Sequence, residues 1–296
     1  MKIVRTVAEL RAELAPSRRE ERSVGLVPTM GAFHDGHLSL MRRAREQCEV
    51  VVVSLFVNPT QFNDTSDLNV YPRDELRDAA LADAIGIDYL FAPPVQEVYP
   101  SGFATSVSVS GVTSGLEGEH RGHEHFDGVA TVVTKLLNMV APSVAYFGQK
   151  DAQQALVIRR LVRDLDLPVR IETCPIVRSA DGLALSSRNA LLSAAQRDRA
   201  TSLHRALRAV QDAVAAGERD PVTATEAALA ELTRAGVEPD YLALVSPHTM
   251  APVNRIDGDV LAVVAARLGG TRLIDNACIH VLSTAETAGS TSQGRP

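Results

Sequence analysis

Runs of apolar residues alternate with amphipathic stretches along the first two thirds of the chain. Short valine-rich runs predict buried strands, and apolar residues at helical spacing predict the helices between them. The predicted strands cover residues 24–27, 50–57, 88–91, 144–147 and 169–174. The predicted helices cover residues 7–14, 36–47, 74–85, 129–139 and 152–165. Strand–helix alternation with short connections predicts an α/β fold with a parallel, doubly wound sheet.

The pattern changes after Arg178, where two long helices and three strand candidates follow. The helices are predicted at residues 194–216 and 222–235, and the strands at 241–245, 260–266 and 273–282. We therefore expect an α/β domain over residues 1–178 and a smaller α+β domain over residues 179–284. Residues 285–296 are small and polar, which predicts a disordered tail.

Composition narrows the class of protein. The 296 residues can form two cores, and the 22% of charged residues is typical of a soluble globular enzyme. The chain has no apolar run of the roughly 20 residues that a membrane span needs, and its N-terminus does not resemble a secretion signal. The net charge of −6 argues against a broad nucleic-acid surface. Cys48, Cys174 and Cys278 fit no metal spacing, so we expect buried thiols in a reducing cytoplasm.

Polar or glycine-rich strings begin where four of the predicted strands end. They are TMGAFHDGH at residues 29–37, NPTQF at 58–62, FGQKD at 147–151 and PIVR at 175–178. Ligands of open α/β sheets bind beyond the carboxyl ends of the strands, so we expect these four loops to converge. Loops that only turn the chain would not need Gln, Lys, His and Arg at these positions. The pattern therefore favours a binding site over simple connections.

The string at residues 29–37, called the signature loop here, combines features that favour anion binding. Gly31 and Gly36 permit tight turns, and His34 and His37 lie on one side at the start of a predicted helix. The first turn of a helix offers unpaired N–H groups and a positive dipole end. We predict a nucleotide polyphosphate as the ligand. Neither a Walker A sequence nor G-x-G-x-x-G is present in the chain.

The signature loop also resembles the H-x-G-H motif of the nucleotidylyltransferase superfamily and, in its extended form, the motif of the pantothenate synthetase family. The strings NPTQF, YPR, LEG…R…HFDGV, YFGQKDAQQ and LSSRN fit the same family. The resemblance implies a Rossmann-like domain and an AMP-forming ligase that joins pantoate to β-alanine through pantoyl adenylate. It further implies ATP as substrate, Mg²⁺ and a homodimer formed through the first domain, with small molecules rather than nucleic acid or membrane as partners.

The resemblance assigns roles to individual residues. It implies that four residues contact the phosphates during catalysis, with His37 as a proton donor: His34, His37, Lys150 and Arg188. The implied ATP-binding residues are Met30, Gly31, His34, His37, Gly148, Gln149, Lys150, Asp151, Val177, Leu185, Ser186, Ser187 and Arg188. The implied pantoate and β-alanine residues are Gln61 and Gln154, with Asn58, Tyr71 and Arg121 lining the acid pocket. Asp78 falls where relatives place a carboxylate near magnesium.

Elementary chemistry agrees with a site of this kind. A carboxylate nucleophile with a pKa of about 4 is already ionised at neutral pH, so the site has to supply alignment and charge neutralisation. Seen singly, Lys150 could be a solvated lysine, Asp78 an exposed helix carboxylate, and Gln153 or Gln154 a helix-surface amide. A nucleotidylyltransferase of the same fold with a different acceptor is the main alternative, and a phosphorylated acceptor would require more Arg and Lys. A non-enzymatic nucleotide sensor would not need the acid pocket.

One segment departs from the family pattern. Residues 120–126 read HRGHEHF, whereas the family usually has R-P-G-H-F, so the proline is missing and one residue is added. We expect residues 111–127 to form a flexible loop over the pocket. A zinc site at His120, His123 and His125 is disfavoured because no fourth ligand has suitable spacing. Residues 106–110 alternate valine with serine, which predicts a strand with one face in water or against another subunit.

Overall fold

The computed structural model describes residues 1–62, 68–69 and 71–281. The chain divides into two compact units. The first contains Met1–Val177 and Leu185–Ser187, and the second contains Arg178–Ala184 and the chain from Arg188 on. The tail predicted at residues 285–296 lies outside the described residues.

Six parallel strands form the sheet of the first unit. They are β1 Lys2–Val4, β2 Val24–Thr29, β3 Val50–Leu55, β4 Tyr89–Phe91, β5 Val144–Gly148 and β6 Arg170–Cys174. Their order in the sheet is β1-β4-β3-β2-β5-β6, and every neighbouring pair is parallel. The predicted parallel sheet is confirmed. Strand β1 was missed because three residues are too few to show a period.

Helices connect these strands on both faces of the sheet. In the first unit they are α1 Val7–Arg19, α2 Asp35–Gln47, α3 Glu75–Ile85, α4 Val95–Val98, α5 Glu117–Arg121, α6 His123–Val140 and α7 Ala152–Asp164. Helix α1 begins where expected, because the Thr6 side chain accepts a hydrogen bond from the Glu9 N–H at 3.2 Å. The Glu9 carboxylate in turn accepts from the Arg5 N–H.

Strand β3 shows how the sheet builds two cores. Val50 and Val52 pack into a cluster that includes Leu10 of α1 and Val133 of α6. Val51 and Val53, which point to the other face of the strand, pack into a second cluster with residues of α2 and α3. Side chains alternate between the faces of a strand, so a valine at every position makes a strand that is buried on both sides. Burying each such side chain contributes about 1.5–3 kcal/mol.

Residues 106–110 do not form the predicted strand. The alternation is visible in the structure, since Val107 and Val109 are half-buried while the serines between and beside them are exposed. The Val107 N–H donates to the Thr131 Oγ1 at 2.9 Å. The described part of the chain places no strand beside this segment to complete a ladder, and alternation without a partner strand does not make a sheet.

The loop predicted at residues 111–127 is also wrong, since α5 and the start of α6 occupy most of it. Glycine here serves close packing rather than mobility. A Cβ added at Gly118 would lie 1.7 Å from the Thr113 carbonyl oxygen. Leu116 adopts φ 56° and ψ −120° immediately before α5, a backbone conformation that non-glycine residues rarely adopt.

The second unit contains helices α8 Ala194–Ala215 and α9 Pro221–Arg234 and strands β7 Pro239–Val245, β8 Asp259–Leu268 and β9 Thr271–His280. The strands form an antiparallel sheet in the order β7-β8-β9. The predicted α+β character is confirmed. Within this unit the Arg178 guanidinium binds both carboxylate oxygens of Asp275, at 2.6 and 2.9 Å.

The cysteines follow the prediction only in part. Cys48 and Cys174 are buried, whereas Cys278 is exposed. Cys278 lies near the end of β9, where its side chain falls on the outer face of the strand. Among the described residues, no helix is long and apolar enough to cross a membrane.

Candidate active site

The order of the strands brings the four polar loops of the first unit to one edge of the sheet. Strand β2 pairs with β3 on one side and with β5 on the other, and β6 follows beyond β5. After β2 the chain adds β3 and β4 on one side of it, and after β5 it adds β6 on the other side. A topological switch point therefore lies between β2 and β5. Open α/β sheets bind their ligands at such points. The loops that follow β3, β2, β5 and β6 meet there.

The signature loop ends in a cap made by two histidines. His34 is the N-cap of α2, and its Nδ1 accepts the N–H of Gly36 at 3.1 Å. The Nδ1 of His37 accepts the N–H of His34 at 3.4 Å. An imidazole nitrogen that accepts a hydrogen bond carries no proton, so the proton of each neutral ring is on Nε2. Both rings therefore keep an Nε2–H group as a donor.

Both imidazoles are neutral at physiological pH. Burial and, after it, the charge of Lys150 lower the pKa of His34 to about 4. Burial and, after it, the charge of His34 lower the pKa of His37 to about 3. The two rings lie with their centroids 4.1 Å apart, so a charge on one ring opposes a charge on the other. As neutral donors they can bind phosphate oxygens without becoming charged first.

Lys150 belongs to the loop between β5 and α7, and it is not a solvated lysine. Its side chain is only 19% exposed, and its Nζ lies 3.5 Å from Asp151 Oδ1. Its charge lowers the pKa of His34 and of His37, which places the ammonium group near the signature loop. Gly148 ends β5, and Gln149 begins the short 3₁₀ turn that carries the lysine. A half-buried cation beside two neutral donors is suited to a polyphosphate.

The loop at residues 58–62, called the acid-pocket loop here, is held by the buried side chain of Asn58. Its Nδ2 donates to the Gln61 Oε1 at 3.0 Å and to the Gly128 carbonyl at 3.1 Å, and its Oδ1 accepts from the Tyr99 hydroxyl at 2.8 Å. The Gln61 Nε2 lies 3.3 Å from the sulfur of Met30 in the signature loop. An amide donates only through its NH₂ group, and the bond from Asn58 to the Gln61 oxygen fixes the direction in which that group points.

His125 contributes to this loop although it was not among the predicted site residues. It is buried, and its Nδ1 lies 2.8 Å from the carbonyl oxygen of Gln61. A carbonyl only accepts, so the proton of this imidazole is on Nδ1. Burial and the charge of Arg121 lower the pKa of His125 to about 4. Its place in the string HFDGV was the available signal, but the contact with Gln61 spans 64 positions in the chain.

Helix α7 carries two adjacent glutamines with different environments. Gln153 is buried, and its Oε1 accepts the N–H of Glu117 at 3.0 Å. Its Nε2 donates to the carbonyls of Val112 and Gly115, both at 2.9 Å. The helix-surface interpretation is therefore wrong for Gln153, which holds the loop before α5. Gln154 is half-buried on the next position of the helix.

Two further candidates for the acid pocket lie close to these elements. The Arg121 Nε donates to the Glu117 carboxylate at 2.7 Å across one turn of α5. Arg121 also lies near His125, whose pKa its charge lowers. The ring of Tyr71 is buried and meets the Phe62 ring edge to face, with centroids 5.7 Å apart. Both residues therefore border the acid-pocket loop.

Asp78 is buried rather than exposed, so the interpretation as an exposed helix carboxylate is wrong. Its side chain is on α3 and is 1% exposed. Its Oδ2 accepts the N–H of Ala32 at 2.7 Å, and its Oδ1 accepts the N–H of Phe33 at 2.8 Å. Burial raises the pKa of this carboxyl, and the two backbone donors act in the opposite direction.

The first residues of the LSSRN string belong to the first unit. The N–H of Leu185 donates to the carbonyl of Val177 at 3.0 Å. Ser186 and Ser187 are half-buried beside it. Arg188 belongs to the second unit, and its role at the phosphates stays a prediction. The described contacts thus join the acid-pocket loop to the signature loop through Gln61 and Met30, and place Leu185 beside Val177.

Comparison with known proteins agrees with this geometry. The sequence model of the family described as "Pantoate-beta-alanine ligase" matches residues 2–278. This chain belongs to that family. The match extends from β1 almost to the end of β9 and so includes both units.

Relatives and solved structures match over nearly the whole chain. The pantothenate synthetase of Cereibacter sphaeroides (strain ATCC 17029 / ATH 2.4.9) is 53% identical over 93% of this chain and 98% of its own. A crystal structure of pantothenate synthetase from Thermus thermophilus has a TM-score of 0.89 at 48% identity, covering 94% of this chain and 99% of that one.

A third match concerns a liganded protein. The pantoate-beta-alanine ligase of Francisella tularensis, described as complexed with beta-gamma ATP and beta-alanine, has a TM-score of 0.78 at 32% identity. The match covers 94% of this chain and 97% of that one. These relatives favour the ligase over a nucleotidylyltransferase with a different acceptor.

Proposed function

We propose that this protein is a pantothenate synthetase, an ATP-dependent ligase that condenses (R)-pantoate with β-alanine. In the first step a carboxylate oxygen of pantoate attacks the α-phosphorus of ATP, and pyrophosphate leaves. In the second step the amine of β-alanine attacks the acyl carbon of pantoyl adenylate, loses a proton and expels AMP. Membership of the pantoate–β-alanine ligase family supports this assignment. The observation that carries it is the histidine pair of the signature loop, whose two Nε2–H groups remain as donors.

The signature loop supplies what the first step requires. The nucleophile is already ionised, so the barrier lies in bringing two anions together and in the charge that builds on the leaving pyrophosphate. His34 and His37 offer neutral donors, and Lys150 offers a positive charge with little exposure. We assign these three residues to the phosphates. A hydrogen bond from the His37 Nε2–H fits its low pKa better than release of a proton from an imidazolium.

The acid-pocket loop can bind an acid through an amide group rather than through a charge of its own. The NH₂ group of Gln61 is oriented by Asn58 and can donate to a carboxylate or a hydroxyl. We assign Gln61 and Gln154 to pantoate, and Gln61 also to β-alanine. An amide binds the acid without neutralising it, so the carboxylate keeps its nucleophilic charge.

We propose that Mg²⁺ enters with ATP and is bound chiefly through the phosphates and water. Mg²⁺ keeps several of its waters and needs few dedicated protein ligands. Asp78, the one predicted ligand, does not fit this ion, because both of its carboxylate oxygens are bonded to backbone N–H groups. The part of the chain that the structure describes contains no group of three His, Cys, Asp or Glu residues placed for a metal.

A homodimer and a cytoplasmic location are further proposals, and both rest on residues of the first unit. Residues 106–110 expose their serines and half-bury Val107 and Val109, which supports this segment as the contact of a homodimer. Two buried thiols, Cys48 and Cys174, support a reducing cytoplasm. Replacing both valines by Asp should yield a monomer in sedimentation, whereas an unchanged sedimentation coefficient would exclude this contact.

One incubation tests the proposed reaction. The protein is incubated with ATP, Mg²⁺ and pantoate, with and without β-alanine, and AMP is measured by chromatography. We expect AMP to accumulate over many turnovers only when all components are present. Isotope exchange between pyrophosphate and ATP should require pantoate but not β-alanine. Exchange that does not depend on pantoate would refute the proposed function.

A further inference from the structure

The signature loop contains a backbone turn that its own sequence does not stabilise. Gly31 has φ +85° and Ala32 has φ +53°. Glycine adopts this left-handed region freely, but alanine does not. The turn lies just before His34, so its shape decides where α2 begins and where both imidazoles lie.

Asp78, on α3, holds this turn in place through two hydrogen bonds to its backbone. Successive residues in the left-handed region turn their N–H groups toward a common point, where an anion can bind. Here the carboxylate of Asp78 occupies that point, with one oxygen on the N–H of Ala32 and the other on the N–H of Phe33. A Cβ added at Gly31 would lie 3.1 Å from the same carboxylate, which explains why the turn needs glycine beside alanine.

The turn held by Asp78 is connected directly to the two histidines of the signature loop. Phe33 is 1% exposed, and its ring packs against His37 with centroids 5.7 Å apart. The next residue, His34, caps α2. Loss of the Asp78 carboxylate would leave two N–H groups buried without an acceptor and would free the backbone that positions both rings.

We propose that Asp78 is a positioning residue for the adenylation step, which holds the signature loop in its left-handed turn, and that it does not bind magnesium. This inference rests on the proposed function. Both oxygens are engaged at hydrogen-bond distance, and the side chain is 1% exposed. Mg²⁺ would need oxygen ligands at about 2.0–2.1 Å together with several waters, and a side chain so deeply buried leaves no space for a hydrated ion.

The first test is Asp78→Asn, assayed by pantoate-dependent exchange between pyrophosphate and ATP. The amide keeps the size of the side chain, but its NH₂ group must face a backbone N–H. We expect the maximal exchange rate to fall roughly 100-fold, the effect of a misplacement of about 1 Å. The Mg²⁺ concentration that gives half-maximal exchange should not change. The matched control is Asp83→Asn on the same helix, since the exposed carboxylate of Asp83 binds the N-terminal amine of Met1 at 2.8 Å.

Asp78→Glu separates the two roles and serves if Asp78→Asn does not fold. The longer side chain keeps the negative charge but cannot bond both adjacent N–H groups in the same geometry, so we expect a similar loss of exchange, again with no change in the Mg²⁺ concentration that gives half-maximal exchange. Wild-type exchange in the Asp78 variants, or recovery at high Mg²⁺, would overturn the inference. A wild-type protein without pantoate-dependent exchange would instead refute the proposed function.

Discussion

Gly128 of α6 is the position where one added methyl group should affect pantoate most directly. Its carbonyl accepts from the Asn58 side chain, and its Cα faces the acid-pocket loop. A Cβ at this position would lie 2.5 Å from the Thr60 carbonyl oxygen, 2.6 Å from the Thr60 carbonyl carbon and 2.8 Å from the Gln61 nitrogen. All three atoms belong to the backbone, so no side chain can rotate to relieve the clash.

The magnitude follows from two opposing effects. In a helix interior, Gly→Ala alone would stabilise the protein by roughly 1 kcal/mol. Overpacking against backbone costs about 1–3 kcal/mol, so we expect Gly128→Ala to be destabilising by about 0–2 kcal/mol. Ordinary contact begins at 3.4 Å, so the loop has to move by roughly 1 Å, and a shift of that size costs on the order of 100-fold in rate.

The assay measures kcat/KM for pantoate together with the free energy of unfolding in urea. We expect kcat/KM for pantoate to fall roughly 100-fold, while the KM for ATP stays within a factor of a few. The control is Gly115→Ala, because an added Cβ there meets no atom within 4 Å. If Gly128→Ala had wild-type kcat/KM for pantoate, Gln61 would not be held by this contact.

Three further predictions concern the histidines and glutamines. His37→Ala should abolish pantoate-dependent exchange but leave the circular dichroism spectrum unchanged; a variant at the wild-type rate would remove His37 from the site. His34, His37 and His125 have folded pKa values of about 4, 3 and 4, below the ordinary 6.5. The unfolded chain therefore binds more protons than the folded chain between pH 6.5 and 4. The free energy of unfolding should consequently decrease as the pH is lowered, by up to about 1.4 kcal/mol per pH unit for each ring. Urea titrations across this range check it, and a flat profile would contradict the lowered pKa values. Gln154→Ala should raise the KM for pantoate with little loss of stability, whereas Gln153→Ala should lower the melting temperature; the reverse pattern would exchange their roles.

The parallel sheet could be predicted because its signal is local. A strand such as β3, with valine at four successive positions, is buried on both faces whichever strand lies beside it. The edge at which the polar loops lie could be predicted for a related reason, since the carboxyl ends of parallel strands share one edge. Neither inference required knowledge of which strands are neighbours.

The errors concern features that depend on distant partners. The valines at 107 and 109 have the right alternation, but a strand needs a neighbour that the sequence does not specify. For Gln153 the helix-surface alternative fails, and nothing local shows that three backbone groups of another segment surround its amide. Asp78 was considered only as a magnesium ligand or an exposed carboxylate, and its backbone partners lie about 45 positions away in the chain.

The short distance between the two imidazoles limits how the site responds to acid. With centroids 4.1 Å apart, the rings titrate as a coupled pair, and the second proton binds against the charge of the first. An incoming polyphosphate can therefore draw at most one proton into the pair, and that proton has to displace a backbone N–H from an Nδ1 atom. Its affinity should strengthen on acidification by no more than about tenfold per pH unit, and calorimetry in buffers of different ionisation enthalpy would register uptake of at most one proton.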